Sequence, residues 1–308
     1  MTSDIAVFLG SKPFGLKVLK SLVQHSPELL WQVICPIDSE DFRSAATEFK
    51  DYAQSSDRVL SIHFIKSKEQ LESTIIKSNV RIGIVCGWYS ILTREILEIP
   101  QYKFWGIHHS LLPKYRGFSP LVWSVINGDK ELGSTIFQIT PEMDAGDYVA
   151  QIRVKNQENA SICQIMEQIE SKVLIELLKN WEELKTGRAT LYAQDLSKIT
   201  FARKRTDVDG RIQWNESAKQ VHNFVRAQSK PYPGAYFYLQ DSEFRVHESE
   251  IADISHAMDP GVVLKLDESM LRVSCGKGTA INLPLRSIES QEESAVVKLR
   301  VGLNLNQR

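Results

Sequence analysis

Short apolar runs recur along the first half of the chain at intervals too long for hairpins, and this spacing constrains the fold more than any other feature. "DIAVFLG" (4–10), "WQVICPI" (31–37), "LSIHFI" (60–65) and "VRIGIVCGW" (80–88) are of strand length and apolar almost throughout. Strands covered on both faces read this way. Stretches of helical length separate them, and "PFGLKVLKSLVQH" sets Leu16, Leu19 and Val23 at helical spacing. Strand alternating with helix predicts an α/β fold, a doubly wound, mostly parallel sheet. "KFWGIHH" (103–109) and "GSTIFQIT" (133–140) extend the series, with "SPLVWSVINGD" (119–129) as a helix ending at Asn127-Gly128. A long amphipathic helix is expected over 161–186. It opens on the capping-box pair Ser161 and Gln164, carries one stripe of Ile162, Ile165, Met166, Ile169, Val173 and Leu177, and stops at Gly187. Such a stripe is core packing.

After "LSKITFARKRTDVDG" the pattern changes. "QVHNFVRAQSKPYPGAYFYL" reads as a short helix, a Pro-Gly turn and an alternating strand, and further short strands follow: "FRVHESEIADI", "GVVLKL", "LRVSCG" and "AINLPL". This predicts a smaller C-terminal β-barrel (OB-like) domain or a sandwich. The expected domains are 1–204, with a linker from about 190, and 205–308.

Composition excludes several classes. With 37 basic and 38 acidic residues, the formal charge of −1 gives no global pull toward nucleic acid or anionic lipid. From Phe201 to Arg308 there are 15 Lys/Arg against 14 Asp/Glu, unlike a nucleic-acid platform. Cys35, Cys86, Cys163 and Cys275 form no CxxC pair, which argues against a metal cluster or a disulfide framework. The start "MTSDIAVFLG" lacks a signal peptide's basic and apolar regions, and no run reaches the roughly 18 apolar residues of a membrane helix. A cytoplasmic protein without a metal or a membrane partner is expected, with a homodimer as one possible state.

Ligands of open α/β sheets sit outside the carboxyl ends of the strands. Three loops fall there: "CGWYS" (86–90), "HHSLLPKYRG" (108–117) and "TPEMDAGD" (140–147). His108 ends a strand and Asp144 lies in the loop after a neighbouring one. A carboxylate beside a histidine fixes its tautomer and favours its charged form. The plainer alternative is a core histidine and a turn aspartate. "FLGSKPFG" (8–15) is neither a dinucleotide fingerprint nor a Walker loop and reads as a strand-to-helix turn. The basic run in "ARKRTDVDGR" reads as a surface linker, with an anion-binding edge as the alternative.

"HHSLLPKYRGFSPLVWSVINGDKELGSTIFQITPEMDAGDYVAQ" (108–151) resembles the signature region of the folate-dependent formyltransferases, a family that includes the methionyl-tRNA, glycinamide ribonucleotide and sugar-nucleotide formyltransferases. "IQWNESAKQVHNFVRAQSKPYPGAYFYL" (212–239) is similar to the start of the C-terminal domain in the methionyl-tRNA and 4-amino-arabinose branches. The resemblance implies transfer of a formyl group from 10-formyltetrahydrofolate to a primary amine. It implies His108 beside the tetrahedral intermediate and Asp144 holding His108. It also implies a folate pocket lined by Cys86, Gly87, Trp88, Tyr89, Ile91, Leu112 and Asp144. Ser110, Lys114, Tyr115 and Arg116 would meet the acceptor, or else form a solvated turn.

The chain departs from this family at Gly106. The family has asparagine there, whose amide donates to the formyl oxygen; losing such a donor costs roughly 10²–10³ in rate. A water, a backbone N–H or His109 are the candidate replacements, although His109 should face away from His108. Hydrolysis of the folate to formate is therefore a rival activity, and folate binding with little catalysis a third reading. Where methionyl-tRNA formyltransferases carry a basic insertion, this chain reads "CPIDSEDFRSAATEFKDYAQ" (35–54), with acids prominent. Phosphate contacts dominate tRNA binding, so a small amine acceptor, an amino sugar on a nucleotide, is favoured over tRNA.

Overall fold

The computed structural model describes residues 4–240, 242–290 and 299–306. The chain divides into two compact units: Met1–Pro120, Gly133–Arg153 and Gln168–Ala202 form one, and Leu121–Leu132, Val154–Glu167 and Arg203–Arg308 the other. The second unit thus takes in two stretches that precede residue 203.

The strands of the first half are β1 (Ile5–Leu9), β2 (Leu30–Pro36), β3 (Val59–Ile65), β4 (Val80–Val85), β5 (Phe104–His108), β6 (Arg116–Gly117), β7 (Glu131–Gln138), β8 (Tyr148–Lys155) and β9 (Phe201–Ala202). The helices are α1 (Pro13–His25), α2 (Ala46–Ser55), α3 (Lys68–Thr74), α4 (Arg94–Leu97), α5 (Pro120–Ile126), α6 (Ile162–Lys179) and α7 (Trp181–Leu184). A seven-stranded sheet runs in the order β3-β2-β1-β4-β5-β7-β8. β1 to β5 are parallel, as their continuous apolar character predicts. β7 pairs antiparallel with β5, and β6 pairs with β9 in a separate two-stranded ribbon.

The order reverses at β1 and β4, the crevice where open sheets take ligands. The chain narrows the gap there: a Cβ on Gly10 would lie 1.9 Å from the Cys86 carbonyl oxygen, so only glycine admits this approach of the two strand ends. One face of the sheet is sealed by Val7, Leu9, Ile34, Val85, Leu92, Ile96 and Phe104, with Trp88 and Ile139 at the margin.

The helix expected over 161–186 opens as foreseen: the Ser161 amide donates to Gln164 Oε1 at 2.9 Å and the Gln164 amide to Ser161 Oγ at 3.3 Å. It breaks at Asn180, which leads into α7, and Gly187 follows with a positive φ of 69°.

In the second unit, α8 (Ala218–Ala227) starts from a capping box of Ser217 and Gln220. Two antiparallel sheets follow, built from β10 (Ala235–Leu239), β11 (Ser242–Val246), β12 (Glu250–Ala252), β13 (Val263–Leu266), β14 (Met270–Ser274), β15 (Ala280–Pro284) and β16 (Ile288–Ser290). Their orders are β10-β11-β16 and β12-β15-β14-β13. Val221 and Val225 of α8 share one core with Trp214, Phe237, Phe244, Val273 and Ile281. The basic run before α8 is folded into this unit. Arg203 pairs with Asp209 at 2.5 Å, and the Arg203 and Arg205 guanidinium groups lie over the Trp123 ring.

Candidate active site

β5 delivers His108 to the carboxyl edge of the sheet, and its side chain is nearly buried. His108 Nε2 lies 2.8 Å from the Tyr115 carbonyl oxygen. A carbonyl can only accept, so Nε2 carries the hydrogen, and in the neutral ring Nδ1 keeps its lone pair. Nδ1 faces Asp144 Oδ2 at 3.7 Å. That distance is too long for a strong hydrogen bond, but it places a carboxylate where an imidazolium Nδ1–H would need one. The ring is therefore held with Nδ1 turned toward the carboxylate.

Asp144 is itself fixed. Its Oδ2 accepts the Gly117 amide at 2.7 Å, and its backbone sits in the left-handed region (φ 51°), where aspartate is tolerated better than most residues. A residue that the sequence did not single out ties the two loops together. Gln194 Nε2 donates to the carbonyls of Asp144 (2.9 Å) and Gly146 (2.7 Å), while its Oε1 accepts from Arg116 Nη2 at 2.7 Å. One buried amide thus positions both the loop bearing Asp144 and the turn whose Tyr115 carbonyl orients His108. Gln194 stands in a polar stretch beyond α7, where no spacing marks it.

The 108–117 turn divides into inward and outward groups. The Ser110 hydroxyl is buried and donates to the Lys114 carbonyl at 2.6 Å. The buried Leu112 amide donates to Thr135 Oγ1. Arg116, expected to meet an acceptor, is 6 % exposed and turned onto Gln194. Lys114 is exposed, and the Tyr115 amide donates to Thr200 Oγ1.

After β4, Cys86 is buried and burial pushes its thiol well above the usual range. Gly87 takes a φ of 77°. The Trp88 indole N–H is out of solvent and has no acceptor among the described residues, while Tyr89 and Ile91 are exposed. A charged cluster closes the neighbouring loop ends. Lys12 Nζ lies 2.5 Å from Asp38 and 2.8 Å from Asp41, beneath the Tyr89 ring. Burial favours a neutral Asp41, but hydrogen bonds from Arg43 and Lys12 outweigh it and hold the carboxyl far below the usual carboxylate range. Two acids of the loop after β2 are therefore matched by cations. Among the described residues no group of three or more His, Cys, Asp or Glu is arranged to hold a metal.

Residues 5–178 match the formyl transferase family, and residues 204–297 match the formyl transferase C-terminal domain. The chain belongs to the formyl transferase family. This formyl transferase is 30% identical over 296 residues to a methionyl-tRNA formyltransferase of Caldanaerobacter subterraneus subsp. tengcongensis, covering 94% of this chain and 92% of that one. It is 34% identical over 227 residues to the bifunctional polymyxin resistance protein ArnA of Wigglesworthia glossinidia brevipalpis, covering 71% of this chain and 33% of that protein. Among solved structures, the sugar 3N-formyl transferase WlaRD, determined with dTDP and 5-N-formyl-THF, superposes with a TM-score of 0.70 at 16% identity, over 92% of this chain and 99% of that one. HypX from Aquifex aeolicus, in complex with tetrahydrofolic acid, gives 0.64 at 16% identity, over 96% and 47%.

At position 106 the formyl transferase has no space for a Cβ. A Cβ on Gly106 would meet Ile139 Cδ1 at 2.4 Å and the Phe137 ring at 2.8 and 3.1 Å. His109 turns to the other face of β5, with its ring 5.6 Å from that of Phe14.

Proposed function

We propose that this enzyme transfers the formyl group of 10-formyltetrahydrofolate to the primary amine of an amino sugar carried on a nucleotide. The observation that carries the reading is the pairing of His108 Nδ1 with the Asp144 carboxylate at the switch-point edge of the sheet. An amine must shed a proton to end as an amide. Nδ1 is the nitrogen free to take it, and Asp144 stabilises the imidazolium that results. The same imidazolium offers an N–H to the oxyanion formed as the amine adds.

The folate would supply the activated one-carbon unit. The unpartnered Trp88 indole N–H fits a ligand with hydrogen-bond acceptors. Cys86, Gly87, Tyr89, Ile91 and Leu112 complete the proposed pocket. Lys114 and Tyr115 are the proposed acceptor contacts, because Ser110 and Arg116 are turned into the protein. Residues up to about 204 are taken as the catalytic domain, and 205–308 as the accessory one.

The charge balance of the second unit and the absence of a basic insertion after β2 support a small acceptor. So does the likeness to solved sugar N-formyltransferases and to an N-formyltransferase from Helicobacter canadensis in complex with folinic acid and dTDP-3-aminofucose. A second reading, methionyl-tRNA formylation, is favoured by the near full-length similarity to enzymes of that name, and the pairing of Asp38 and Asp41 with Lys12 and Arg43 lessens the acidity that argued against it.

Incubation with 10-formyltetrahydrofolate and either dTDP-linked amino sugars or methionyl-tRNA separates the two, with the mass of each acceptor as readout. A formylated nucleotide sugar is expected. Formylated tRNA with untouched sugars replaces the acceptor, and formate released as fast without any acceptor replaces the reaction.

A further inference from the structure

Gly106 and His108 point to one face of β5, because side chains alternate along a strand. Gly106 pairs directly across the ladder with Phe137 of β7. The space that a side chain at 106 would enter holds Ile139 Cδ1 and the Phe137 ring, at 2.4 and 2.8 Å from where its Cβ would stand. Carbon atoms in contact settle at about 3.5–4.0 Å, so this volume is already occupied by hydrocarbon. The three atoms nearest that point are all carbon, so it offers a water none of the polar partners that one needs. The wall extends to the reacting edge. Phe137 meets the His108 ring edge-on, with centroids 6.3 Å apart and planes at 75°. Ile139 packs on the cluster that includes Val85 and Leu92, with Trp88 at its margin.

We propose that Phe137 and Ile139 determine which nucleophile takes the formyl group: their hydrocarbon wall keeps water off the His108 face, and Gly106 is the residue that lets the wall close. The inference rests on the formyl-transfer reading above. In transfer, the amine nitrogen bonds to the formyl carbon and the bond from that carbon to the folate nitrogen breaks. The amine gives up a proton and the folate nitrogen gains one. In hydrolysis a water oxygen takes the place of the amine nitrogen, and formate and a proton leave with tetrahydrofolate. His108 Nδ1 carries the proton equally well in both, so the imidazole cannot choose between them. The choice falls to what can reach the carbon, and an apolar surface gives a water no hydrogen bond to hold it there.

The test is acceptor-free release of formate from 10-formyltetrahydrofolate, measured on the full chain. Wild type is expected to release formate slowly. Ile139→Ala, at the half-buried margin of the cluster, is expected to raise the rate roughly tenfold as water enters, and Ile139→Ala with Phe137→Leu to raise it further. A gain of this kind is not produced by loosened packing alone, which lowers rates. Thermal melting shows which variants are folded, and if the double variant does not melt cooperatively the single one decides. Folded Ile139→Ala with an unchanged rate overturns the inference, and so does wild type that already releases formate at the variant's rate. Calorimetry with 5-formyltetrahydrofolate on wild type keeps the two readings apart. No binding there defeats the formyl-transfer reading itself, whereas binding with an unchanged variant defeats only the role of the wall.

Discussion

His108 and His109 are neighbours in the chain with the same side chain, yet the two faces of β5 give them opposite roles. On one face, His108 has a carbonyl to orient it and a carboxylate 3.7 Å from its second nitrogen. On the other, His109 lies against Phe14, its Nδ1 is shut off from solvent with no partner among the described residues, and burial, with His108 adding, pulls its pKa down to about 4. The first ring has a carboxylate within reach of its second nitrogen. The second stays neutral because burial disfavours its charge. The comparison teaches that a reactive histidine is made by what surrounds its two nitrogens, and that strand alternation decides which neighbour receives those surroundings.

The sharpest way to break this comparison is to delete each ring in turn. His108→Ala should lower turnover by roughly 10³–10⁴, the upper part of the range for a general acid–base group, while the melting temperature stays close to wild type. Formyl transfer at near-normal rate in that variant would take His108 out of the chemistry. Asp144→Asn comes next. The amide can still accept from Gly117, so the loop should hold, but the charge that stabilises the imidazolium is gone; a loss of roughly 10²–10³ in kcat is expected. A large rise in KM with kcat intact would instead make Asp144 a binding residue.

The parallel strands were legible because burial on both faces leaves a continuous apolar signature: β1 to β3 lie within a residue of their expected places, and β4 begins at Val80 as expected but ends three residues early. The antiparallel direction of β7 was not: an apolar strand carries no mark of its direction. β8 escaped notice since Gln151 and Arg153 interrupt its apolar residues. The break of the long helix at Asn180 is hidden for a related reason, because Trp181 and Leu184 continue the buried stripe across it. In the site, His108 and Asp144 could be placed on the right loops by the strand-end rule and joined by resemblance, but their separation could not. Gln194 was invisible, being one polar residue in a polar stretch. Gly106 stood out by resemblance, yet only pairing across the sheet reveals that Phe137 and Ile139 crowd the point where its Cβ would stand.

The smallest expected effect belongs to the silent partner. His109→Leu should leave turnover within about threefold of wild type, since the ring touches no reacting atom. Its signature lies in acid stability. The folded pKa of about 4 lies below the ordinary 6.5, so the unfolded chain takes up this proton first as the pH falls. Stability is fully present above about pH 6.5 and declines as the pH drops toward 4, by about 2 kcal/mol at pH 5 from this one ring. Leucine removes that decline. The melting temperature of the variant should therefore fall less than that of wild type between pH 7.5 and pH 5, by a few degrees at this chain length. His222, which burial likewise draws down to about 4 in the second unit, keeps its own share of acid sensitivity in both proteins, so the variant's fall is reduced and not abolished. Identical pH dependence in the two would show that His109 is not held neutral by the fold, and the contrast between the two faces of β5 would fail at its buried side.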